Sequence, residues 1–175
     1  FLLCEKQSKQ LMMPRDLWLI FALIKKARTD FIVEKATEMG VAQIIPVQTD
    51  FTNSERIRAD RLQNHVVEAA EQCGGTFVPK VLELQKLSRL LDTWSDRQIM
   101  FCDEELIGQP ITLPEIQGPW AVLIGPEGGF SPAERARLNA MLQGHPVPLG
   151  PRVLRSETAV VAALTLWQTR IGDWR

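Results

Sequence analysis

The sequence contains few residues of the types that build metal sites or disulfide frameworks. Its 175 residues include three cysteines and two histidines, all widely spaced, and no Cys-x-x-Cys pair. Zinc sites and disulfide frameworks depend on closely spaced or paired cysteines, and His-rich metal sites need several histidines together. We therefore expect no metal site, and a chain suited to a reducing cytoplasm.

Long hydrophobic runs and a surplus of either charge are also missing. The longest apolar run spans residues 17–24, whereas a transmembrane helix needs roughly 20 residues. Lysine and arginine total 20 against 21 aspartate and glutamate, a formal net charge of −1. We expect no membrane span, and any nucleic-acid binding must come from a local basic patch or from outside this chain.

The sequence does contain short apolar runs that alternate with helical patterns, in a chain that is 45% hydrophobic and 23% charged. Such a composition is typical of globular domains. The predicted strands are residues 17–24, 41–47, 77–84, 97–102, 120–124 and 147–149. The predicted helices are one capped by Thr29 and Asp30 and closed by Gly40, then 54–73, 86–94, one starting at Ser131, and 156–170. This order predicts an α/β fold with a mainly parallel sheet and flanking helices, in which ligands bind at the carboxyl ends of the strands.

A glycine-rich turn follows the predicted strand 120–124. Residues 125–130 read Gly-Pro-Glu-Gly-Gly-Phe, and Ser131, Pro132 and Glu134 then form a complete helix start. Glycines let a ligand approach the backbone, and amide groups at a helix start can hold an anion. The segment is neither a Walker A loop nor GxGxxG, so alone it is equally consistent with a tight structural turn.

A second unusual segment joins the strand 147–149 to the last helix. Residues 149–158 read Leu-Gly-Pro-Arg-Val-Leu-Arg-Ser-Glu-Thr. Two arginines, Arg152 and Arg155, flank an apolar pair. Alone, the arginines are best interpreted as surface residues, and we expect residues 156–158 to cap the helix.

Together, the two segments resemble the SPOUT methyltransferases and, more narrowly, the RsmE family, which methylates N3 of a uridine in small-subunit ribosomal RNA. Residues 34–41 (Glu-Lys-Ala-Thr-Glu-Met-Gly-Val) and 68–74 (Glu-Ala-Ala-Glu-Gln-Cys-Gly) resemble the first and second helices of that family. The resemblance covers about residues 17–170. One departure is Gly75, which stands where the family usually has arginine.

The resemblance implies a SPOUT methyltransferase domain over residues 17–175, with a C-terminal trefoil knot. Residues 1–16 would be a tail or the remnant of an upstream PUA-like domain. The implied cofactor is S-adenosyl-L-methionine, held by two knot loops. The residues implied to bind it are Leu123, Ile124, Gly125, Pro126, Glu127, Gly128, Gly129, Leu149, Gly150, Arg152, Val153 and Leu154.

Uridine N3 must lose a proton to become a good nucleophile, so such a site needs a base or a cation that favours the anionic uracil. Arg155 is the best candidate cation, and Glu127 and Glu157 are the candidate bases or orienting groups. For Glu157, a first-turn carboxylate favoured by the helix dipole is an equally good interpretation. The candidate substrate-binding residues are Lys35, Glu71, Gln72, Arg152 and Arg155. For Lys35, an exposed ion pair with Glu38 carries at least equal weight, and Glu71 and Gln72 are equally well read as surface residues.

The expected partners are small-subunit ribosomal RNA and a second copy of the chain. The last helix is apolar nearly all round over residues 159–167, so the sheet covers one side and a partner must cover another. Two alternatives to uridine-N3 methylation remain: a SPOUT enzyme with another RNA target, such as a ribose 2′-hydroxyl, and a non-catalytic RNA-associated module that keeps the fold.

Overall fold

The described part of the chain is an α/β structure built from short strands and five α-helices. The structure, a computed structural model, describes residues 9–53 and 57–174. The described strands are β1 Leu17–Ala22, β2 Gln43–Gln48, β3 Lys80–Val81, β4 Gln85–Lys86, β5 Gln98–Cys102, β6 Trp120–Ile124 and β7 Gly144–Val147. The α-helices are α1 Lys26–Glu38, α2 Ala59–Gln72, α3 Leu87–Asp92, α4 Pro132–Ala140 and α5 Ser156–Arg170. A 3₁₀ turn, Glu104–Leu106, follows β5.

The described strands form one sheet in the order β3-β2-β1-β6-β5-β7, with β4 pairing farther along β2. Every pairing between them is parallel. In the centre, Ile20 of β1 pairs with Ile45 of β2 on one side and with Leu123 of β6 on the other. All five residues of β6 are buried, as expected for a strand covered on both faces. The predicted parallel α/β fold is confirmed.

The sheet separates two apolar clusters, because successive side chains of a strand point to opposite faces. Val122 and Ile124 of β6 belong to the cluster that includes Val160 and Trp167 of α5. On the other face, Leu123 packs in the cluster that contains Leu87 and Leu91 of α3, Leu138 of α4 and Phe130. The two clusters fix the sheet between helices and leave its carboxyl edge to the loops.

The start of α1 differs from the prediction. The helix begins at Lys26, with Lys25 at the N-cap and no side-chain cap, so Thr29 and Asp30 do not start it. The Thr29 hydroxyl instead donates a hydrogen bond to the carbonyl of Ile24, 3.1 Å away. This bond satisfies a backbone acceptor in the segment between β1 and α1. The predicted end is confirmed, since Gly40 follows the helix with a φ of +76°, which a glycine adopts without strain.

Other boundaries also moved, by one or two residues in most elements and by more in three of them. The predicted strand 77–84 reduces to the short pairings of β3 and β4 with β2, and the strand predicted at 147–149 lies at Gly144–Val147, where it pairs with β5. Pro148 follows β7 and has no N–H with which to continue the ladder. The helix predicted from residue 54 begins at Ala59; residues 54–56 lie outside the described residues.

The end of the chain matches its predictions closely. β6 and α5 have the predicted bounds, and Ser131 and Glu134 form the predicted capping box of α4, with Pro132 in its first turn. Helix α5 buries Val160, Leu164 and Trp167 in the core, whereas Ala162 on its other side stays partly exposed. No helix within residues 9–53 and 57–174 is long and apolar enough to cross a membrane. The trefoil knot stays a prediction.

Candidate functional site

A cleft opens at the carboxyl edge of the sheet, where the segments after β5, β6 and β7 meet. It encloses about 500 Å³ of space, part of it open to solvent. Its lining comes from three loops and the first turns of α5. The lining residues are Cys102, Asp103, Glu104, Ile107, Ile124, Gly125, Pro126, Val147, Leu149, Arg152, Val153, Leu154, Ser156 and Ala159.

Most of the predicted cofactor residues meet in this cleft, and some do not. Those that line it are Ile124, Gly125, Pro126, Leu149, Arg152, Val153 and Leu154. Leu123 points to the opposite face of the sheet, because its neighbour Ile124 takes the cleft side. Glu127, Gly128, Gly129 and Gly150 belong to the two loops but do not line the cleft. Their role in cofactor binding stays a prediction.

Ser156 ties the two predicted loops together. Its hydroxyl donates a hydrogen bond to the carbonyl of Gly125, 3.1 Å away, and the side chain is buried. The N-cap of α5 is Arg155, without a side-chain cap, so the expected capping of this helix by residues 156–158 is wrong. The hydroxyl links the glycine-rich loop to α5 instead.

Close contacts explain two glycines of the first loop. A Cβ on Gly125 would lie 3.3 Å from two ring carbons of Phe130, and a Cβ on Gly129 would overlap the Glu104 carboxylate. Gly129 also has a φ of +71°, which side chains rarely allow. The packing of the loop itself therefore requires these two glycines, whether or not they also contact a ligand.

The β5 side of the cleft is acidic, a feature that the sequence motifs did not reveal. Asp103 is nearly fully buried, and Nε of Arg135 donates to its Oδ1 at 3.0 Å. Arg135 also donates through Nη2 to Glu104 at 2.8 Å and contacts Glu105 at 3.0 Å. Although burial disfavours its charged form, the hydrogen bond and charge of Asp103 raise the pKa of Arg135. One guanidinium faces three carboxylates here, so this side of the cleft suits a cationic ligand.

Cys102 lines the same side as a neutral thiol. Burial, and after it the charge of Asp103, raises the pKa of the Cys102 thiol. A thiol that keeps its proton is a poor nucleophile and a poor metal ligand. Within residues 9–53 and 57–174, no three His, Cys, Asp or Glu side chains are placed to hold a metal ion.

The candidate bases meet on one arginine that sequence reasoning missed. Nη1 of Arg28, in the first turn of α1, donates to Oε1 of Glu127 at 3.1 Å, and its Nε lies 3.4 Å from Oε1 of Glu157. The other carboxylate oxygen of Glu157 is buried and has no hydrogen-bond partner among the described residues. Arg28 is separated from both glutamates by about 100 residues or more of sequence, so no local pattern could reveal this contact.

The predicted cations of the second loop are exposed. Arg152 lines the cleft, and Arg155 stands at the start of α5. Neither forms an ion pair with another described residue, and both side chains face solvent. Arg155 is not among the residues that line the cleft. The guanidinium of Arg152 is therefore the one available to an anion in the cleft.

Three predicted substrate residues lie away from the cleft. Lys35 forms an ion pair with Glu38 at 2.6 Å. This is the ion pair that the sequence offered as an alternative to a functional role for Lys35. Glu71 and Gln72 are exposed at the end of α2. Helices that follow parallel strands run back to the amino edge of the sheet, so these residues stand at the edge opposite the cleft. The role of these three residues in substrate binding stays a prediction, since none of them lines the cleft of this chain.

Comparison with known proteins decides the family. The family model of the RNA methyltransferase domain matches residues 11–168. Ribosomal RNA small subunit methyltransferase E of Buchnera aphidicola (subsp. Schizaphis graminum) is 30% identical over 98% of this chain and 72% of its own length. The chain belongs to the ribosomal RNA small subunit methyltransferase E family. The predicted RsmE family is thereby confirmed.

Solved structures of methyltransferases share this fold. Ribosomal RNA small subunit methyltransferase E from Neisseria gonorrhoeae, bound to S-adenosyl methionine, is 31% identical with a TM-score of 0.82, over 93% of this chain and 69% of that one. A methyltransferase from Legionella pneumophila in complex with the same cofactor is 29% identical with a TM-score of 0.80, over 91% and 68% of the two chains. Both neighbours therefore bind S-adenosylmethionine on the fold that this member of the methyltransferase E family adopts.

Proposed function

We propose that the chain transfers a methyl group from S-adenosylmethionine to N3 of a uridine in small-subunit ribosomal RNA. The observation that carries the proposal is the cleft in which the loops after β6 and β7 meet. Ser156 ties those loops together through Gly125. Membership of the methyltransferase E family and cofactor-bound neighbours on the same fold support the assignment.

The residues of the cleft fit that cofactor. Ile124, Leu149 and Leu154 supply apolar walls for an adenine ring. Asp103 and Glu104, which follow β5, add negative charge to the lining, which suits the cationic groups of the molecule. When bound, S-adenosylmethionine supplies an electrophilic methyl group attached to a sulfonium sulfur.

The chain's charged groups match the needs of the nucleophile. Uridine N3 carries a proton that must leave before its lone pair can attack, so the site needs an acceptor and a cation. Arg155 is an exposed cation beside the second loop, and Glu127 and Glu157 are carboxylates that Arg28 contacts. Arg155 would stabilise the developing uracil anion, and a glutamate would take the proton.

Methyl transfer to ribosomal RNA tests the function directly. The protein is incubated with tritiated S-adenosylmethionine and either assembled small subunits or deproteinised RNA, and the modified nucleoside is identified by mass spectrometry. We expect 3-methyluridine. A 2′-O-methylated nucleoside would show that the target is a ribose hydroxyl instead of uridine N3. Cofactor binding without transfer to any RNA would support a non-catalytic module.

We further propose that the protein works in the cytoplasm as a homodimer that pairs through the outer side of α5, with residues 1–16 as a tail or the remnant of an upstream PUA-like domain. Val161 and Leu166 on α5 are apolar and only partly buried. Val153, at the mouth of the cleft, keeps 72% of its surface exposed. Covering these side chains with a second copy would remove apolar surface from water.

Sedimentation measures the association. The native chain should sediment at twice its 19.8 kDa mass at micromolar concentration. Ala162→Glu, which places a charge on the partly exposed side of α5, should shift the protein toward the monomer. Thr169→Glu, at an exposed position near the end of the same helix, is the matched control. A native monomer at high micromolar concentration would refute the dimer.

A further inference from the structure

Arg28 joins three elements that the sequence separates widely. It lies in the first turn of α1, Glu127 in the loop after β6, and Glu157 in the first turn of α5. Its Nη1 contacts Oε1 of Glu127 at 3.1 Å, and its Nε lies 3.4 Å from Oε1 of Glu157. Because a guanidinium is planar with fixed donor directions, one side chain fixes the orientation of both carboxylates.

The two glutamates differ in their surroundings. The Glu127 side chain is 46% exposed, whereas that of Glu157 is 18% exposed. Oε2 of Glu157 is buried without a hydrogen-bond partner among the described residues. A buried acceptor left without a donor costs free energy, and folded proteins keep few of them. Glu157 directly follows Ser156, which lines the cleft, and Arg28 is the ion-pair partner that holds its other oxygen.

We propose that Arg28 is a positioning residue, which holds the Glu157 carboxylate in the orientation that accepts the proton of the substrate's ring N–H. Glu127 then anchors the other end of the guanidinium. This inference rests on the proposed methyl transfer to uridine N3. It assigns different tasks to the two candidate bases, which the sequence alone left equivalent.

The step balances in protons and electrons. The N3–H bond breaks and its proton moves to the Glu157 carboxylate, leaving the electron pair on N3. That pair forms the new bond to the methyl carbon. The bond between that carbon and sulfur breaks, and its electrons remain on sulfur as a neutral thioether. The protonated glutamate later returns its proton to solvent.

Four variants separate positioning from mere structural support. Glu157→Gln keeps the shape and removes the proton acceptor, Arg28→Met removes the guanidinium, Arg28→Lys keeps the charge, and the double variant combines Arg28→Met with Glu157→Gln. The matched control is Arg58→Met, which removes an arginine from an exposed ion pair with Asp60. The readouts are kcat and KM on small subunits, cofactor affinity by calorimetry, and thermal unfolding.

General base catalysis typically contributes about 100-fold or more, so Glu157→Gln should lower kcat by at least about that factor. Arg28→Met should lower kcat by at least about 10-fold, with KM and cofactor affinity nearly unchanged. The double variant should be no slower than Glu157→Gln, because Arg28 acts through that residue. Arg28→Lys should recover part of the rate, since an ammonium cannot span both carboxylates as the guanidinium does.

A substrate with a more acidic N3–H tests the proton transfer itself. Methylation of small subunits that contain 5-fluorouracil in place of uracil depends less on a base. The electron-withdrawing fluorine stabilises the N3 anion and so makes the N3–H more acidic. The defects of Glu157→Gln and Arg28→Met should therefore shrink on fluorinated subunits. A purely structural defect would be the same on both substrates.

The outcomes are distinguishable. If the native protein transfers methyl groups and Arg28→Met is as fast, or loses rate additively with Glu157→Gln, the positioning role is overturned and the proposed function stands. Equal defects on both substrates would overturn the proton transfer to Glu157. If the native protein binds the cofactor and transfers no methyl group to any RNA, the proposed function and this inference both fail.

Discussion

The hydroxyl of Ser156 donates a hydrogen bond to the carbonyl oxygen of Gly125 across 3.1 Å. This contact links the loop after β6 to the first turn of α5, across 31 residues of sequence. Both residues line the cleft, so the bond holds two of its walls at a fixed separation. A site whose walls are held before binding loses less conformational entropy when a ligand enters.

We predict that Ser156→Ala weakens cofactor binding and leaves the fold intact. One hydrogen bond contributes about 0.5–1.5 kcal/mol, so affinity for S-adenosylmethionine should fall by about 2- to 12-fold. Calorimetry measures the affinity. Thr158→Ala removes a hydroxyl from an exposed position of the same helix and should bind as tightly as the native protein. Equal losses in both variants would show that the link to Gly125 does not matter.

Gly125→Val should abolish cofactor binding while the chain still folds. The new Cβ would lie 3.3 Å from the ring of Phe130, which is buried against the far cluster and stacks edge-on to Phe101. Overpacking of this kind costs about 1–3 kcal/mol of stability, and the displaced loop no longer matches the ligand. Calorimetry and thermal unfolding measure the two effects.

Gly75→Val is the matched control for that substitution. Gly75 is exposed at the opposite edge of the sheet, and its nearest neighbours allow a Cβ at ordinary contact distances. It should therefore leave cofactor affinity unchanged. Native affinity in Gly125→Val would refute the assignment of the glycine-rich loop to the cofactor.

Local signals explain which elements the sequence could predict. The capping box of Ser131 and Glu134 lies within four residues, so it fixes the start of α4 without knowledge of the rest. The apolar run of β6 and the bounds of α5 are equally local. By contrast, β7 ends where its pairing with β5 ends, because Val147 pairs with Cys102. That register depends on a distant strand.

The same distinction applies to the site. The glycines, prolines and arginines of the two loops are recognisable from their order, and most of them meet in the cleft. Arg28 and Asp103 lie outside both motifs, and their partners Glu127 and Arg135 are 99 and 32 residues away. Contacts between residues so far apart in sequence form only when the sheet folds, so no spacing in the sequence predicts them.

The ion pair of Asp30 with Arg61 predicts a pH dependence of stability. Arg61 donates two hydrogen bonds to Asp30, at 2.6 and 2.9 Å, and the side-chain hydrogen bond to Arg61 holds the pKa of Asp30 below its ordinary value of 3.8. Since the pKa is lower in the folded state, the ion pair stabilises the fold above the unfolded value and loses this effect as pH falls through the folded one.

Asp30→Asn should therefore unfold about 1–2 kcal/mol more easily than the native protein near neutral pH. The difference should persist down to about pH 4 and then shrink at lower pH, as urea unfolding at each pH measures. Asp60→Asn is the control, because its ion pair with Arg58 is exposed and screened by solvent. If the difference in unfolding free energy between the native protein and Asp30→Asn stayed constant as the pH falls below 4, Asp30 would not be the source of the pH dependence.

Arg155 should matter for turnover more than for cofactor binding. Its side chain is exposed beside the second loop and forms no ion pair with another described residue, so removing it disturbs little of the fold. The cofactor already carries a positive sulfonium, so a second cation does not favour its binding. A uracil that loses its proton gains negative charge only as the reaction proceeds, and a cation placed there lowers the barrier rather than stabilising the ground state.

Arg155→Ala should accordingly bind S-adenosylmethionine almost as tightly as the native protein and methylate small subunits roughly 100- to 1,000-fold more slowly, the effect of removing one preorganised charge-stabilising group. Arg155→Lys should recover only part of the rate, because an ammonium lacks the planar donor pair. Arg170→Ala is the matched control, since that arginine is also exposed and lies at the other end of the 15-residue helix α5, about 22 Å away. Single-turnover rates and calorimetry separate the two effects. If Arg155→Ala loses affinity and rate in equal measure, Arg155 binds the cofactor, and stabilisation of the uracil anion must come from another cation, of which Arg152 lines the cleft.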